Sequence, residues 1–590
     1  MNSKSILLAT LLTLGVAASL WTVAAITLTP IAADFQAGDT LSADALNALF
    51  DRIDDNFATT ESAINDLLDG VGPSGAWSLT GNADSDPQDH FLGTTDAAAL
   101  VVRVGGQQAF AFEPTASVPN VIGGFGGNGS DAGVVGASIG GGGGAGVPNE
   151  VAADFGTVGG GFDNRSGGFA ATVAGGQENA ANGNQAVVGG GRQNSAGGTS
   201  STVAGGASNV AAALGSTVGG GTSNRADNSA ATVSGGDGNE ATGLEASVGG
   251  GRNNAAAGGG ATVSGGVGNT ASGIGATVAG GGGNEAGGSD ASVGGGRRNV
   301  ASGAHATVGG GEDNVASAAH ATIGGGSENE ASDLWATVGG GQFNLAPGRF
   351  GTIAGGVANT VEGFHGTIGG GIGNRASGAA ATVPGGLNNH AAGTASFAAG
   401  RLASAAHEGS FVWADATADA LDPPFASTAA HQFSVRAAGG TRVFSNAAAT
   451  TGVQLAPGGN AWSSLSDRSV KENVVPVEAD VVLERLSQLP IATWNLTSQD
   501  PSIRHLGPMA QDFHAAFGLG ESDTHISATN ASGVAFAAIQ ELHRLASDQE
   551  ARIAELERRN AELAAQVADL AITLEQRGQD DAHVIAGAPD

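Results

Sequence analysis

The hydrophobic pattern between residues 158 and 383 repeats every fifteen positions. An apolar β-branched residue recurs at this period without slippage, and an asparagine follows six residues after each one, from Asn164 to Asn389. The apolar positions are Val158, Val173, Val188, Val203, Val218, Val233, Val248, Val263, Val278, Val293, Val308, Ile323, Val338, Ile353, Ile368 and Val383. Alanine stands two residues after nearly every asparagine. A fixed short period of this kind is typical of a solenoid.

One repeat predicts one coil. Its Thr-Val pair suits a strand with valine inward and threonine outward, and the Gly-Gly that follows permits a sharp corner. The asparagine is predicted at the next corner, where it tolerates left-handed conformations and can hydrogen-bond the coils above and below. Each coil would bury about one valine and one alanine, which is too little apolar area at ~25 cal/mol per Å² to offset the entropy of ordering it. We therefore predict a mainly β fold, a parallel β-solenoid over residues 121–413, assembled as a trimer.

The segments before the repeats predict export and a stalk. Residues 1–25 have the pattern of a signal peptide, with Lys4, an apolar run over residues 6–20 and a small-residue cleavage site. The apolar character continues to Ala33, so retention as a membrane anchor stays an alternative. Residues 38–70 carry apolar residues at three- and four-residue steps, which predicts a coiled-coil stalk. Residues 71–120 predict β-structure capping the first coil.

The repeats resemble a known family of surface proteins. Residues 396–413 have the sequence S-F-A-A-G-R-L-A-S-A-A-H-E-G-S-F-V-W. This stretch is similar to the head repeats of trimeric autotransporter adhesins, the YadA-like heads, and the fifteen-residue repeats resemble the same family. The resemblance covers roughly half the chain and implies β-rolls packed as trimers.

A second resemblance begins at Ser466, after a β linker predicted over residues 414–465. Its motifs are a Ser-Asp-x-x-x-Lys opening at residues 466–471 and a Gly-x-x-Ala-Gln-Asp box at residues 507–512. Residues 466–545 resemble the intramolecular chaperone domain of phage tailspikes and endosialidases, an auto-cleaving serine peptidase. The resemblance implies a catalytic dyad of Ser466 and Lys471 that cuts the peptide bond on one side of Ser466. Ser469 and Val470 stand where that family usually has arginine and leucine.

The use of lysine in this chain favours the dyad. Lysine occurs only at Lys4 and Lys471. Arginine does not give up its proton in proteins, whereas a lysine can do so and activate a serine. The alternative is that Lys471 is an ordinary surface residue.

The C-terminal segment predicts a second coiled coil, over residues 546–578. Apolar residues alternate there at three- and four-residue steps, with Gln549 and Asn560 as polar members of the series. The series is Ile539, Leu542, Ala546, Gln549, Ile553, Leu556, Asn560, Leu563, Val567, Leu570 and Leu574. Residues 579–590 are predicted to form a disordered tail.

Charge and composition limit which partners and which disulfide or metal sites the chain can have. The net charge of -32 argues against nucleic acid and anionic membrane partners. The chain has no cysteine, hence no disulfide or thiolate metal site. The repeat lacks the aspartate of calcium-binding rolls. We predict no cofactor and no metal site.

Together these patterns predict a secreted or cell-surface homotrimer, an adhesin-like fibre with a host-surface or glycan ligand. Its C-terminal chaperone would drive trimerisation and then remove itself. Membrane contact is expected only if the N-terminal segment is retained. The alternatives are a tailspike-like fibre that degrades or binds polysaccharide, and ice binding through the threonine row from Thr157 to Thr382.

Overall fold

The computed structural model of the chain describes residues 42–69, 86, 91–419 and 421–585. The predicted signal peptide at residues 1–25 lies outside them. The chain divides into two units, residues 1–380 and residues 381–590. None of the helices in the described residues is long and apolar enough to cross a membrane.

Helix α1, Ala43–Asp69, opens the described part of the first unit. The Ser42 hydroxyl accepts the backbone N–H of Ala45 at 3.2 Å and so caps the helix. Leu46, Phe50 and Phe57 are exposed in the single chain. A helix thus forms where the stalk is predicted, and its pairing into a coiled coil stays a prediction.

Three antiparallel strands precede the coils, where a cap is predicted. They are β1 (Leu100–Val104), β2 (Gln107–Glu113) and β3 (Asn120–Gly123). Strand β2 pairs with both β1 and β3. Strand β3 also pairs in parallel with Ser138–Ile139, so it belongs both to the antiparallel sheet and to the first ladder of the coils.

Each coil of the solenoid contributes two strands of two residues, which stack in parallel on the next coil. The first ladder in this unit contains Ser138–Ile139, Thr157–Val158, Thr172–Val173, Val187–Val188, Thr202–Val203, Thr217–Val218, Thr232–Val233, Ser247–Val248, Thr262–Val263, Thr277–Val278, Ser292–Val293, Thr307–Val308, Thr322–Ile323, Thr337–Val338, Thr352–Ile353 and Thr367–Ile368. The second contains Gly129–Ser130, Glu150–Val151, Arg165–Ser166, Ala180–Ala181, Ser195–Ala196, Val210–Ala211, Arg225–Ala226, Glu240–Ala241, Ala255–Ala256, Thr270–Ala271, Glu285–Ala286, Val300–Ala301, Val315–Ala316, Glu330–Ala331, Leu345–Ala346, Thr360–Val361 and Arg375–Ala376. The predicted parallel β-solenoid is confirmed, with about twenty turns.

The interior of each coil is larger than one valine and one alanine. In the coil that begins at Ala171, the side chains of Ala171, Val173, Asn179 and Ala181 are all buried. The residue before the threonine therefore belongs to the core, and so does the asparagine. A polar side chain is tolerated there because its hydrogen-bonding groups find partners.

The buried asparagines form a ladder along the solenoid. The Asn179 side-chain amide donates to the carbonyl of Gly175 in its own coil at 3.0 Å and to that of Gly191 in the next coil at 2.9 Å. Its backbone N–H donates to Oδ1 of Asn164 in the preceding coil at 3.1 Å. Each asparagine thus bonds three coils, as the sequence predicts.

At the corners of each coil, the left-handed backbone conformation is taken by residues other than the asparagine. The residue before the asparagine takes the positive φ, for example Asp163 at 58° and Glu178 at 56°, and so does the last residue of a coil, for example Gln185 at 58°. The asparagine itself must direct its side chain inward to reach three coils. The asparagine therefore does not take the left-handed conformation that it would tolerate, because the residue ahead of it makes the turn.

Two adjacent glycines provide a matched test of the corner geometry. A Cβ on Gly281, whose φ is +90°, would lie 2.1 Å from the carbonyl oxygen of Gly296, whereas one on Gly280 would meet nothing within 4 Å. Gly281→Ala is therefore expected to destabilise the fold by at least about 2 kcal/mol, and Gly280→Ala by less than about 0.5 kcal/mol. Thermal unfolding of both variants checks this difference. Equal melting temperatures would contradict it.

In the second unit the parallel stacking continues past residue 413. The coil strands are Thr382–Val383, Gly386–Leu387, His390–Ala391, Phe397–Arg401, Ala403–Ala405, Phe411–Ala414, Phe425–Ala426 and Phe433–Arg436. Phe433–Arg436 pairs in parallel with Phe411–Ala414. The coils thus extend to Arg436, into the segment predicted as a linker. The phenylalanines at positions 397, 411 and 433 stack in place of the threonine row.

A three-stranded antiparallel sheet follows the last coil. Its strands are Thr441–Phe444, Gly452–Leu455 and Trp462–Ser464. The central strand, Gly452–Leu455, pairs with both others. This sheet leads directly to Ser466.

The C-terminal region is built on three helices and a hairpin. Helices α2 (Ala479–Gln488), α3 (Ala510–Phe517) and α4 (Ala528–Ile585) accompany the antiparallel pair Ala492–Trp494 and His505–Gly507. Leu489, Phe513 and Val534 form the core that joins them. Helix α4 continues to Ile585, into the segment predicted as a disordered tail. Gln579 and Ala582 in that segment are residues that favour helix.

Candidate active site

The predicted dyad residues are in contact. Trp462–Ser464 is the last strand before the site, and the backbone N–H of Leu465 still donates to the Gly452 carbonyl at 3.0 Å. A short 3₁₀ helix, Arg468–Val470, lies between the two residues of the dyad. It brings Nζ of Lys471 within 2.6 Å of Oγ of Ser466.

Asp467 caps the 3₁₀ helix. Its Oδ1 accepts the backbone N–H and the hydroxyl of Ser469, each at 2.8 Å. At the other end, the N–H of Lys471 donates to the Arg468 carbonyl at 3.2 Å. The backbone N–H of Ser469, and next its hydroxyl, hold the pKa of the Asp467 carboxyl below its usual range. The carboxylate therefore stays ionised to lower pH than that of a free aspartate.

The pair has the geometry of a nucleophile and its base. A separation of 2.6 Å is within the hydrogen-bond reach that proton transfer requires. A lysine ammonium donates such a bond, and the neutral amine accepts the hydroxyl proton. Ser466 and Lys471 are both exposed in the single chain.

Helix α4 touches the strand before the dyad. The Thr529 hydroxyl donates to the Ser464 hydroxyl at 3.3 Å, two residues ahead of Ser466. Thr529 lies in the first turn of α4. The sequence reasoning missed Thr529, and it assigned no role to Asp467 or Ser469. Asp467 is the aspartate of the Ser-Asp-x-x-x-Lys motif, and both aspartate and serine are common capping residues.

The Gly-x-x-Ala-Gln-Asp box spans the turn between a strand and a helix. Gly507 ends the strand of the hairpin, and Ala510 begins helix α3. Phe513, which follows the box, lies in the core with Leu489 and Val534. The box therefore shapes the strand-to-helix turn that supports α2 and α4. No hydrogen bond in the described structure joins it to Ser466 or Lys471.

The comparison with known families bears on this segment. Residues 466–518 match the family model of the chaperone of endosialidase. The match opens at Ser466 and ends at Gly518, the left-handed C-cap of α3. It supports the resemblance predicted for the C-terminal part, and with the β-solenoid it fits a fibre protein of the tailspike kind. No curated protein matches the chain. The resemblance of the repeats to YadA-like heads stays a prediction.

No metal site accompanies the dyad in the described part of the chain. Among those residues, no group of three or more histidine, aspartate or glutamate side chains could hold a metal ion.

Proposed function

We propose that the chain is an exported, homotrimeric, adhesin-like surface fibre whose C-terminal chaperone region aligns three copies and then detaches itself by cutting beside Ser466. The observation that carries this proposal is the 2.6 Å contact between Ser466 and Lys471, inside the segment that matches the chaperone of endosialidase. Export is inferred from the signal peptide predicted at residues 1–25. The ligand class, a host surface or a glycan, rests on the predicted resemblance of the repeats.

The cleavage step uses the bond between Leu465 and Ser466. Neutral Lys471 accepts the proton of the Ser466 hydroxyl, and Oγ attacks the Leu465 carbonyl carbon. The C–N bond breaks, the lysine proton passes to the leaving amine, and an ester joins Leu465 to Ser466. Water then hydrolyses the ester. One water is consumed, and the products are a carboxylate at Leu465 and an amine at Ser466.

The exposed stripe of α4 supports assembly. Ile553, Leu556, Leu563 and Val567 are each at least half exposed, although they are the apolar members of the three-four series. A long amphipathic helix with such a stripe is stabilised by pairing with copies of itself. Aligned helices would also align the coils, which is useful because non-local β pairing between chains is slow.

The assembly requirement is tested by charging the stripe. We expect Leu556→Lys with Leu563→Lys to give monomers that remain uncut, because two buried positions of the coiled coil would carry charge. Ala554→Lys with Ala561→Lys, which adds the same charges at outward positions, should assemble and cut like the natural chain. Light scattering and gel electrophoresis measure both properties.

Two outcomes would contradict the proposal. A natural chain that is monomeric in light scattering would refute the trimer. Monomers of the Leu556 and Leu563 variant that are cut at the natural rate would refute the dependence of cleavage on assembly. A glycan array with the purified fibre tests the ligand class separately.

A further inference from the structure

The residues between the nucleophile and the base are held by very few contacts. Ser466 to Val474 are all exposed, so no core packing fixes this segment in the chain. Within it, Asp467 accepts two hydrogen bonds from Ser469, and the Lys471 N–H bonds to the Arg468 carbonyl. We call the pair of bonds between Asp467 and Ser469 the Asp467–Ser469 clasp.

Sequence spacing alone does not bring the dyad together. Five residues of extended chain span about 17 Å, and the lysine side chain is flexible. The 3₁₀ turn shortens this path, since such a helix rises only about 2 Å per residue. A turn of three residues is marginal by itself. Its stability in an exposed segment must come from its hydrogen bonds.

We propose that Asp467 and Ser469 are positioning residues for self-cleavage: the Asp467–Ser469 clasp closes the turn that holds Nζ of Lys471 against Oγ of Ser466. The inference rests on the proposed function. Ser469 stands where the resembling family usually has arginine, so this chain has a hydroxyl that donates to the cap. Asp467 acts as a hydrogen-bond acceptor, and the low pKa of its carboxyl agrees with that role.

An acceptor role and a charge role predict different results for two variants of Asp467. Asp467→Ala removes the acceptor, and we expect the cleavage rate of assembled trimers to fall about 10- to 100-fold, as displacement by about 1 Å does. Asp467→Asn keeps an acceptor oxygen without the charge, and its rate should stay within about threefold of the natural one. Ser469→Ala keeps one of the two bonds and should lie between them.

The experiment follows cleavage of the full chain by gel electrophoresis, with trimer mass and melting temperature measured on each variant. Arg468→Ala is the matched control, because it lies in the same turn and its side chain makes no hydrogen bond in the described structure. It should cut at the natural rate. An Asp467→Asn variant as slow as Asp467→Ala, or an Asp467→Ala variant as fast as the natural chain, would overturn the clasp.

Different results would refute self-cleavage itself and the role of the Asp467–Ser469 clasp. A natural chain that is never cut would refute self-cleavage itself. Normal cutting of the natural chain, lost in Ser466→Ala but unchanged in Asp467→Ala, would refute only the clasp. Should Asp467→Ala fail to assemble, the comparison of Ser469→Ala with Arg468→Ala decides, since equal rates for these two would also reject the clasp.

Discussion

Ser466→Ala is expected to leave the full chain uncut, because it removes the Oγ that lies 2.6 Å from Nζ of Lys471. The natural chain should instead yield a long N-terminal fragment and a C-terminal fragment of about 125 residues that begins at Ser466. Loss of a nucleophile in a serine peptidase costs about 10⁶-fold in rate. Gel electrophoresis and N-terminal sequencing of protein expressed in bacteria measure both results.

Lys471→Arg should slow cleavage almost as completely. Arginine keeps the positive charge but cannot accept the serine proton in a protein. Efficient cutting of either variant would refute the dyad, and so would cleavage of Ser466→Ala at the same bond.

Asn269→Leu in the middle of the ladder is expected to destabilise the solenoid by at least about 3 kcal/mol. Asn269 donates to the carbonyls of Gly265 and Gly281 at 2.8 and 3.0 Å, and its Oδ1 accepts from the N–H of Asn284 at 3.0 Å. Leucine would leave these buried groups without partners. The damage would include both neighbouring coils, because one asparagine bonds all three.

Val267→Leu is the matched control for this substitution. Val267 lies two residues before Asn269 but is exposed, so the larger side chain enters solvent. Its melting temperature should remain close to that of the natural chain. Equal melting temperatures for Asn269→Leu and Val267→Leu would show that the ladder adds no stability.

Much of the fold could be predicted because one pattern repeats many times. The period of the valines indicates the coil, and the fixed distance to asparagine indicates a residue that must contact its neighbours. The position of the left-handed corner could not be predicted, since glutamate, glutamine and histidine occupy it, as at Glu178, Gln185 and His305. At those positions the stacked coil requires a left-handed backbone, and this requirement outweighs the conformational preference of the residue itself.

The dyad could be predicted from residue chemistry, whereas the hydrogen bonds that hold its two residues together could not. The scarcity of lysine and the resemblance at residues 466–471 both indicate Ser466 and Lys471. The clasp depends on the rotamers of Asp467 and Ser469, which spacing does not specify. The extension of the coils to Arg436 was missed because phenylalanine replaces threonine there and the period of fifteen is lost.

The asparagine ladder makes the coils interchangeable. Each asparagine of the ladder presents the same side-chain amide and the same backbone groups to the asparagine in the next coil. A coil contacts only the coils beside it. Loss or duplication of fifteen residues anywhere between Asn164 and Asn359 would therefore restore every hydrogen bond of the ladder around the change. A loss of fourteen would shift the threonine into the interior. Recombination between repeats that share this period and spacing would thus lengthen or shorten this protein in whole coils, while both ends of the solenoid stay unchanged.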